Sequence, residues 1–192
     1  MDTITRRRTP EDTRAEIIEK ALEVAAELGA PGFTLDAVAA RTRVSKGALL
    51  HHFPSKLALL EGMVDHLGRM HAGMILAEAA RDPEPYGRNA RAYLRATVNE
   101  PVTPQDVSIG RVIMAAFAID PTLVKRWSGW IDKVKVDDPG DPVGADDALM
   151  LRLIADGLWL SDLFGMHVVS AEQRKALLSL LTPGHPITAN DA

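Results

Sequence analysis

The sequence predicts an all-α protein of about nine helices, with a three-helix head at 11–60, a larger helical body at 61–182 and flexible tails at 1–10 and 183–192. Three observations predict it. Apolar residues recur at three- and four-residue spacing along most of the chain. Pro, Gly or acidic breaks punctuate these stretches at helix-like intervals. No stretch sustains a period of two with β-branched enrichment, which leaves no candidate strand.

Taken in order, Thr13-Arg14-Ala15-Glu16 has the Ser/Thr-x-x-Glu form of a capping box. Ile17, Ile18, Ala21, Leu22, Ala25 and Leu28 follow at helical spacing until Gly29, and Gly29-Ala30-Pro31-Gly32 is a turn. Then comes TLDAVAARTRVSKGALLHHF, residues 34–53. Thr34 is placed to cap a short helix with Asp36 in its first turn and Leu35, Val38 and Ala39 as its apolar stripe. Ser45 is placed to cap a second, which turns Ala48, Leu49 and Phe53 inward and Lys46, His51 and His52 outward until Pro54 stops it, with His52 equally able to pack against the first helix. Two short helices joined by a tight turn form a helix-turn-helix, whose second helix can enter a DNA major groove.

Charge supports that use. From Thr34 to Lys56 the sole acid is Asp36, against Arg41, Arg43, Lys46 and Lys56 and two histidines. Residues 1–60 hold nine Lys or Arg and eight Asp or Glu, whereas 61–192 hold thirteen and eighteen, in a chain of net charge −4. The polyanion-binding end is therefore the front. Thr34 and Ser45 are expected to offer hydroxyls and helix N-terminal N–H groups to phosphates, Gly47 to let the recognition helix approach closely, and Lys46 and His51 to reach base edges or phosphates.

The elements Phe33-Thr34-x-x-x-Val38-Ala39 and Val44-Ser45-x-Gly47-x-Leu49-x-x-His52-Phe53-Pro54-Ser55-Lys56-x-x-Leu59-Leu60 run without a gap. The stretch from Thr13 to about Met63 resembles the DNA-binding domain of TetR-family transcriptional regulators. That resemblance implies a homodimer, a palindromic DNA operator and a small-molecule effector. It also implies that Lys56 contacts a phosphate and that the fourth helix transmits movement. Position 50 departs from the pattern: the family usually has a tyrosine there that contacts the backbone, and here it is Leu50, which suits a thymine methyl instead.

Beyond the head, Ser55 opens a fourth helix through Leu57, Leu60, Met63, Val64, Leu67, Met70, Met74 and Leu76 to about Ala80, ended by Arg81-Asp82-Pro83. Further helices are expected over about Tyr86–Val98, Gln105–Ala118 and Pro121–Lys135, then a loop over Val136–Gly144, and helices over Ala145–Phe164 and Ala171–Leu181. The last two carry apolar residues beyond one stripe, so a second copy is expected to cover them, with Leu149, Leu153, Leu160, Phe164, Leu177 and Leu181 at the interface. Met63, His66, Met70, Met74, Met114, Phe117, Trp127, Trp130 and Trp159 are large, adaptable or aromatic. They are the candidates to line an apolar effector pocket between the fourth and eighth helices. Asp156 would favour a cationic ligand if it faced inward, and a place in solvent is the plainer reading.

Other classes fit poorly. No cysteine is present, which removes disulfides and thiolate chemistry. His66 and His71 do not stack on one helix face, and no HExxH, Gly-rich phosphate loop or Gly-x-Ser-x-Gly elbow occurs, so no metal, cofactor or catalytic residue is expected. Arg6-Arg7-Arg8 leads into Thr9-Pro10-Glu11-Asp12 rather than an apolar core, and no apolar run reaches bilayer length, so a cytoplasmic protein is expected. Those three arginines could also serve as an arm to a minor groove. The sequence reads as a ligand-responsive transcriptional repressor. The rival, suggested by Leu50 and the acidity, is a helical small-molecule-binding protein or enzyme whose head no longer binds DNA.

Overall fold

A computed structural model describes residues 9–85, 87–99, 102–135 and 145–179. Among these, nine α-helices and no strand are found: α1 Pro10–Gly32, α2 Leu35–Arg41, α3 Lys46–His52, α4 Lys56–Arg81, α5 Arg88–Asn99, α6 Pro104–Ile119, α7 Pro121–Ile131, α8 Ala145–Phe164 and α9 Ala171–Ser179.

The starts are chemical. Helix α1 begins earlier than its expected Thr13 capping box. Thr9 is the N-cap instead: its hydroxyl accepts from Asp12 N–H at 3.1 Å while the Asp12 carboxylate accepts from Thr9 N–H at 3.0 Å. Pro10 is the reason, since its fixed φ and missing N–H suit the first helical position. Thr13 falls inside the helix and donates its hydroxyl to the Thr9 carbonyl. At the other end Gly29, with φ +60°, breaks the regular helix where the sequence placed the turn. Ser55 caps α4 by accepting from Ala58 N–H at 3.0 Å, and 26 residues carry that helix about 39 Å. Asp120 and Ser170 cap α7 and α9 by accepting from Thr122 N–H and Gln173 N–H. Helix α7 stops at Ile131, short of the expected Lys135, because a turn at 132–134 folds Val134 inward to 3% exposure. The 136–144 loop, residues 180–192 and Tyr86 lie outside the described residues, as does the end of the 1–10 tail before Thr9.

The helices pack as two compact units. The first joins α1–α3 and α4 up to Leu67 with α6 and α7 to Trp127; the second holds α4 from Gly68, α5, the chain from Ser128, α8 and α9. This grouping cuts across a division at residue 60. The physical reason is the stripe of α6: Val112, Ile113 and Ala116 are buried in the same cluster as Ile17, Ile18, Ala21, Val24, Val38, Leu49 and Phe53, so α1 has α6 to pack on as well as α2 and α3. In the second unit α5 packs on α8 and α9, with Ala92, Leu94, Ala155 and Leu163 buried to 0% exposure. Asp82, directly after α4, accepts from Arg91 Nε at 2.8 Å and Arg95 Nη1 at 2.5 Å on α5.

Candidate nucleic-acid interface

The first unit sets the pose of α3 through what it buries. Leu49 and Val38 are fully buried and Phe53 is 1% exposed, so α3 is clamped on one side and turns the rest of its surface to solvent. The cap of each short helix is made as the sequence requires: Thr34 Oγ1 accepts from Ala37 N–H at 3.1 Å and Ser45 Oγ from Ala48 N–H at 3.2 Å. A capping hydroxyl uses a lone pair and keeps its proton, so both remain donors toward a phosphate. Lys46, Gly47, Leu50 and His51 are exposed. A Cβ at Gly47 would meet nothing nearer than Ser45 Oγ at 3.9 Å, so the protein's own packing does not demand glycine there. His52 is half-buried, and its ring meets that of His51 edge-on at 5.6 Å between centroids.

The cations are less free than their number suggests. Arg41 is gripped by Glu27 through two contacts, of 2.8 and 2.5 Å, and the guanidinium's hydrogen bonds hold the Glu27 carboxyl below its ordinary pKa. Lys56 donates to the Phe33 carbonyl at 2.6 Å and lies 5.3 Å from the Phe33 ring centre. Two further N–H donors of that ammonium remain for a phosphate. Lys46 forms an ion pair with Asp36 across the turn. Arg43 extends an exposed side chain while its backbone N–H donates to Glu16 at 3.4 Å. Sequence reasoning missed Glu16 and Glu27 because their partners lie 27 and 14 residues away, beyond any local pattern.

The candidate effector residues fall into both units. Met63 is fully buried in the first unit's cluster, Phe117 and Trp127 pack against it with rings 6.5 Å apart, and His66 and Met114 are half-buried. In the second unit Met74 and Trp159 are half-buried and Met70 is exposed. Trp130 there lies against Gly68, with Lys133 Nζ 3.7 Å from its ring centre. Asp156 is exposed yet accepts from the Tyr93 hydroxyl at 2.7 Å, and the His71 ring meets Tyr93 edge-on. Burial pushes the His71 pKa down, and the Asp156 carboxylate opposes that shift without cancelling it.

On α8, Leu149, Leu153 and Phe164 are 52, 58 and 50% exposed, and with half-buried Leu160 they share one face by helical spacing. The opposite side, Leu151, Ala155 and Leu158, is buried. Leu177 on α9 is half-buried and lines an open groove of about 530 Å³ with Met166 and Val168. Leu181 lies outside the described residues. Among the described residues no single helix is long and apolar enough to cross a membrane.

Comparison with known proteins bears on both halves of the chain. Residues 17–63 match the family profile described as bacterial regulatory proteins, tetR family, and residues 87–183 match the tetracyclin repressor-like C-terminal domain. The HTH-type transcriptional regulator BetI of Burkholderia mallei is 38% identical over 86 residues, which are 44% of this chain and 42% of that protein. The chain spans about half the length of the curated relatives it matches. A transcriptional regulator from Rhodococcus sp. Rha1 has a similar solved structure, with TM-score 0.60, 25% identity and coverage of 90% of this chain and 93% of that one. A solved structure from Pseudomonas aeruginosa PAO1 has the same fold at TM-score 0.71 and 19% identity, covering 95% of this chain and 97% of that one. With a head built around a capped, outward-facing α3 and a profile match through the helical region behind it, the chain belongs to the TetR family of bacterial transcriptional regulators.

Proposed function

We propose that the protein is a homodimeric, ligand-responsive repressor that acts in the cytoplasm. It reads a palindromic operator with Thr34, Arg43, Ser45, Lys46, Gly47, Leu50, His51 and Lys56, and a small lipophilic or aromatic effector releases it. The observation that carries the reading is α3: its inner side is locked by fully buried Leu49, and Lys46, Gly47, Leu50 and His51 stand in solvent together. Two such helices related by a two-fold axis and about one DNA turn apart fit a palindrome. An effector that binds better to a different spacing shifts the population and lowers DNA affinity. Among the effector candidates, Met70, Met74, Trp130 and Trp159 are the contacts we favour, because Met63, Phe117 and Trp127 already serve the core of the first unit.

Fluorescence anisotropy with DNA selected by the protein from genomic fragments tests the DNA reading. Tight binding that weakens steeply with salt, and about tenfold further with Lys46→Ala, is the expected result, one charge-assisted contact being worth ~1–3 kcal/mol. Affinity equal to that for random DNA at every salt concentration would sink it in favour of a helical small-molecule-binding protein or enzyme whose head no longer binds DNA.

The dimer reading rests on the exposed apolar face of α8. Leu153→Glu sets an unpaired carboxylate in that face, and sedimentation is expected to show a folded monomer with the dimer constant weakened about 100-fold or more, as an uncompensated buried charge of ~3 kcal/mol demands. An unchanged dimer would place the interface elsewhere.

A further inference from the structure

We propose that Arg14, on α1, is a further phosphate contact of the DNA-binding face, held in place for the DNA backbone by the ring of Phe53. This rests on the DNA-binding reading above. Arg14 is exposed, and its guanidinium carbon stands 4.3 Å from the centre of the Phe53 ring. Its Nη2 lies 3.5 Å from where a Cβ on Gly62 would stand. One side chain of α1 thus reaches the C-cap of α3 and the first two turns of α4 together.

Most cations of the head are engaged by the protein itself. Lys20 pairs with Glu23, Arg41 with Glu27 and Lys46 with Asp36, and Lys56 donates to the Phe33 carbonyl. Arg14 and the Arg43 side chain differ: among the described residues, no carboxylate comes within ion-pair distance of either. Acids near Arg14 along α1 and on α4 have other partners. Asp12 closes the Thr9 cap, Glu16 accepts from Arg43 N–H, and Glu61 pairs with Arg126. What Arg14 has instead is a ring. Attraction to an aromatic face localises a guanidinium without taking up its N–H donors as a carboxylate would, and those donors suit two phosphate oxygens at once.

The place also fits a phosphate. Helix α3 has seven residues, a length of ~10 Å, and the major groove is about 12 Å wide, so a helix lying across the groove has a phosphate backbone at each end. Arg43 stands just before one end. Phe53 is the other end, and it carries Arg14 on its ring. Lys56 opens α4 three residues later, so Arg14 and Lys56 serve the same backbone. A contact of that kind adds affinity by releasing counterions and reads no sequence.

The test compares wild type, Arg14→Met and Arg14→Lys by anisotropy across a series of KCl concentrations. Two duplexes are used, one recovered from a random library by in vitro selection with wild type and one scrambled duplex of equal length. Methionine keeps apolar cover on the Phe53 ring and removes the charge. Arg14→Met is expected to weaken binding to both duplexes by a similar factor, about three- to tenfold for each bound head, and to flatten the slope of log K against log salt by about one per head. Arg14→Lys retains the charge and with it the wild-type slope. Circular dichroism melts check the fold, and Arg14→Gln repeats the measurement should the Met variant melt early. An unchanged slope in a folded Arg14→Met protein would overturn the inference and leave Arg14 a cover for Phe53. So would a loss confined to the selected duplex, which marks a base contact, or an Arg14→Lys slope as flat as that of Arg14→Met. Wild-type binding with neither salt dependence nor sequence preference would instead overturn the DNA-binding reading on which the inference rests.

Discussion

Phe53→Ala unfolds the head at temperatures where wild type is intact and abolishes DNA binding, with a loss of ~3–5 kcal/mol expected for removing a buried aromatic ring. Phe53 is 1% exposed and closes α3, its N–H returning to the Leu49 carbonyl at 2.8 Å. Its ring lies against Gly62 on α4 so closely that a Cβ there would come within 2.7 Å of Phe53 Cε1, and Arg14 of α1 covers its face at 4.3 Å from the centroid. Three helices therefore meet on one ring. Its removal leaves a cavity that α1 and α4 cannot both move to fill, since each is fixed elsewhere by Ile17, Ile18, Leu59 and Met63. Denaturant unfolding followed by circular dichroism measures the loss. A fall below about 1 kcal/mol would show that the site collapses around the gap and that the ring is not what fixes α3.

The second large effect is expected in the other unit. Asp82→Asn removes the charge between Arg91 and Arg95 while keeping the side-chain shape, at an expected cost of ~3 kcal/mol, because the Arg91 guanidinium is left buried without its counter-charge. Arg91 is 6% exposed and Asp82 7%. The surroundings are otherwise satisfied: Arg91 Nη2 donates to the Glu84 carbonyl at 2.7 Å and Glu84 N–H donates to Asp82 at 3.0 Å. Burial by itself would raise the Asp82 pKa, but the hydrogen bonds from Arg91, Arg95 and the Glu84 backbone outweigh it and hold the carboxyl well below the usual carboxylate range. A carboxyl depressed in the folded state stabilises the protein above its unfolded pKa, ~3.9, and that contribution is lost as pH falls toward the folded value. The advantage of wild type over the Asn variant should accordingly be full at neutral pH and shrink below about pH 4. Thermal melts of both proteins between neutral and acidic pH check this, and a constant difference across that range would refute the ionic origin.

Much of the head could be read from the sequence. Thr34 and Ser45 cap α2 and α3 because a hydroxyl two or three residues ahead of free N–H groups is a local arrangement, visible within a few positions. The inward set Val38, Leu49 and Phe53 followed from helical period alone, as did the boundaries of α8. The start of α1 went astray between two nearby capping boxes, and Pro10 decided it. What distance conceals is a different matter. Glu27 and Arg41, Glu16 and the Arg43 backbone, Tyr93 and Asp156 meet across 14, 27 and 63 residues, and no spacing rule reaches that far.

By itself, then, the sequence determined the all-helical class, the caps of α2 and α3, the turn of the helix-turn-helix and the family, since each of these is written in short-range spacing and side-chain type. Only the tertiary structure decided that α6 packs on α1 beside the head, that Arg41 and Lys56 are held by the protein itself, and that Lys46 is shared with Asp36. The reason is physical: periodicity shows which face of a helix must be buried, but the partner on that face, and the charge that neutralises a given cation, depend on which distant helices come into contact when the chain folds.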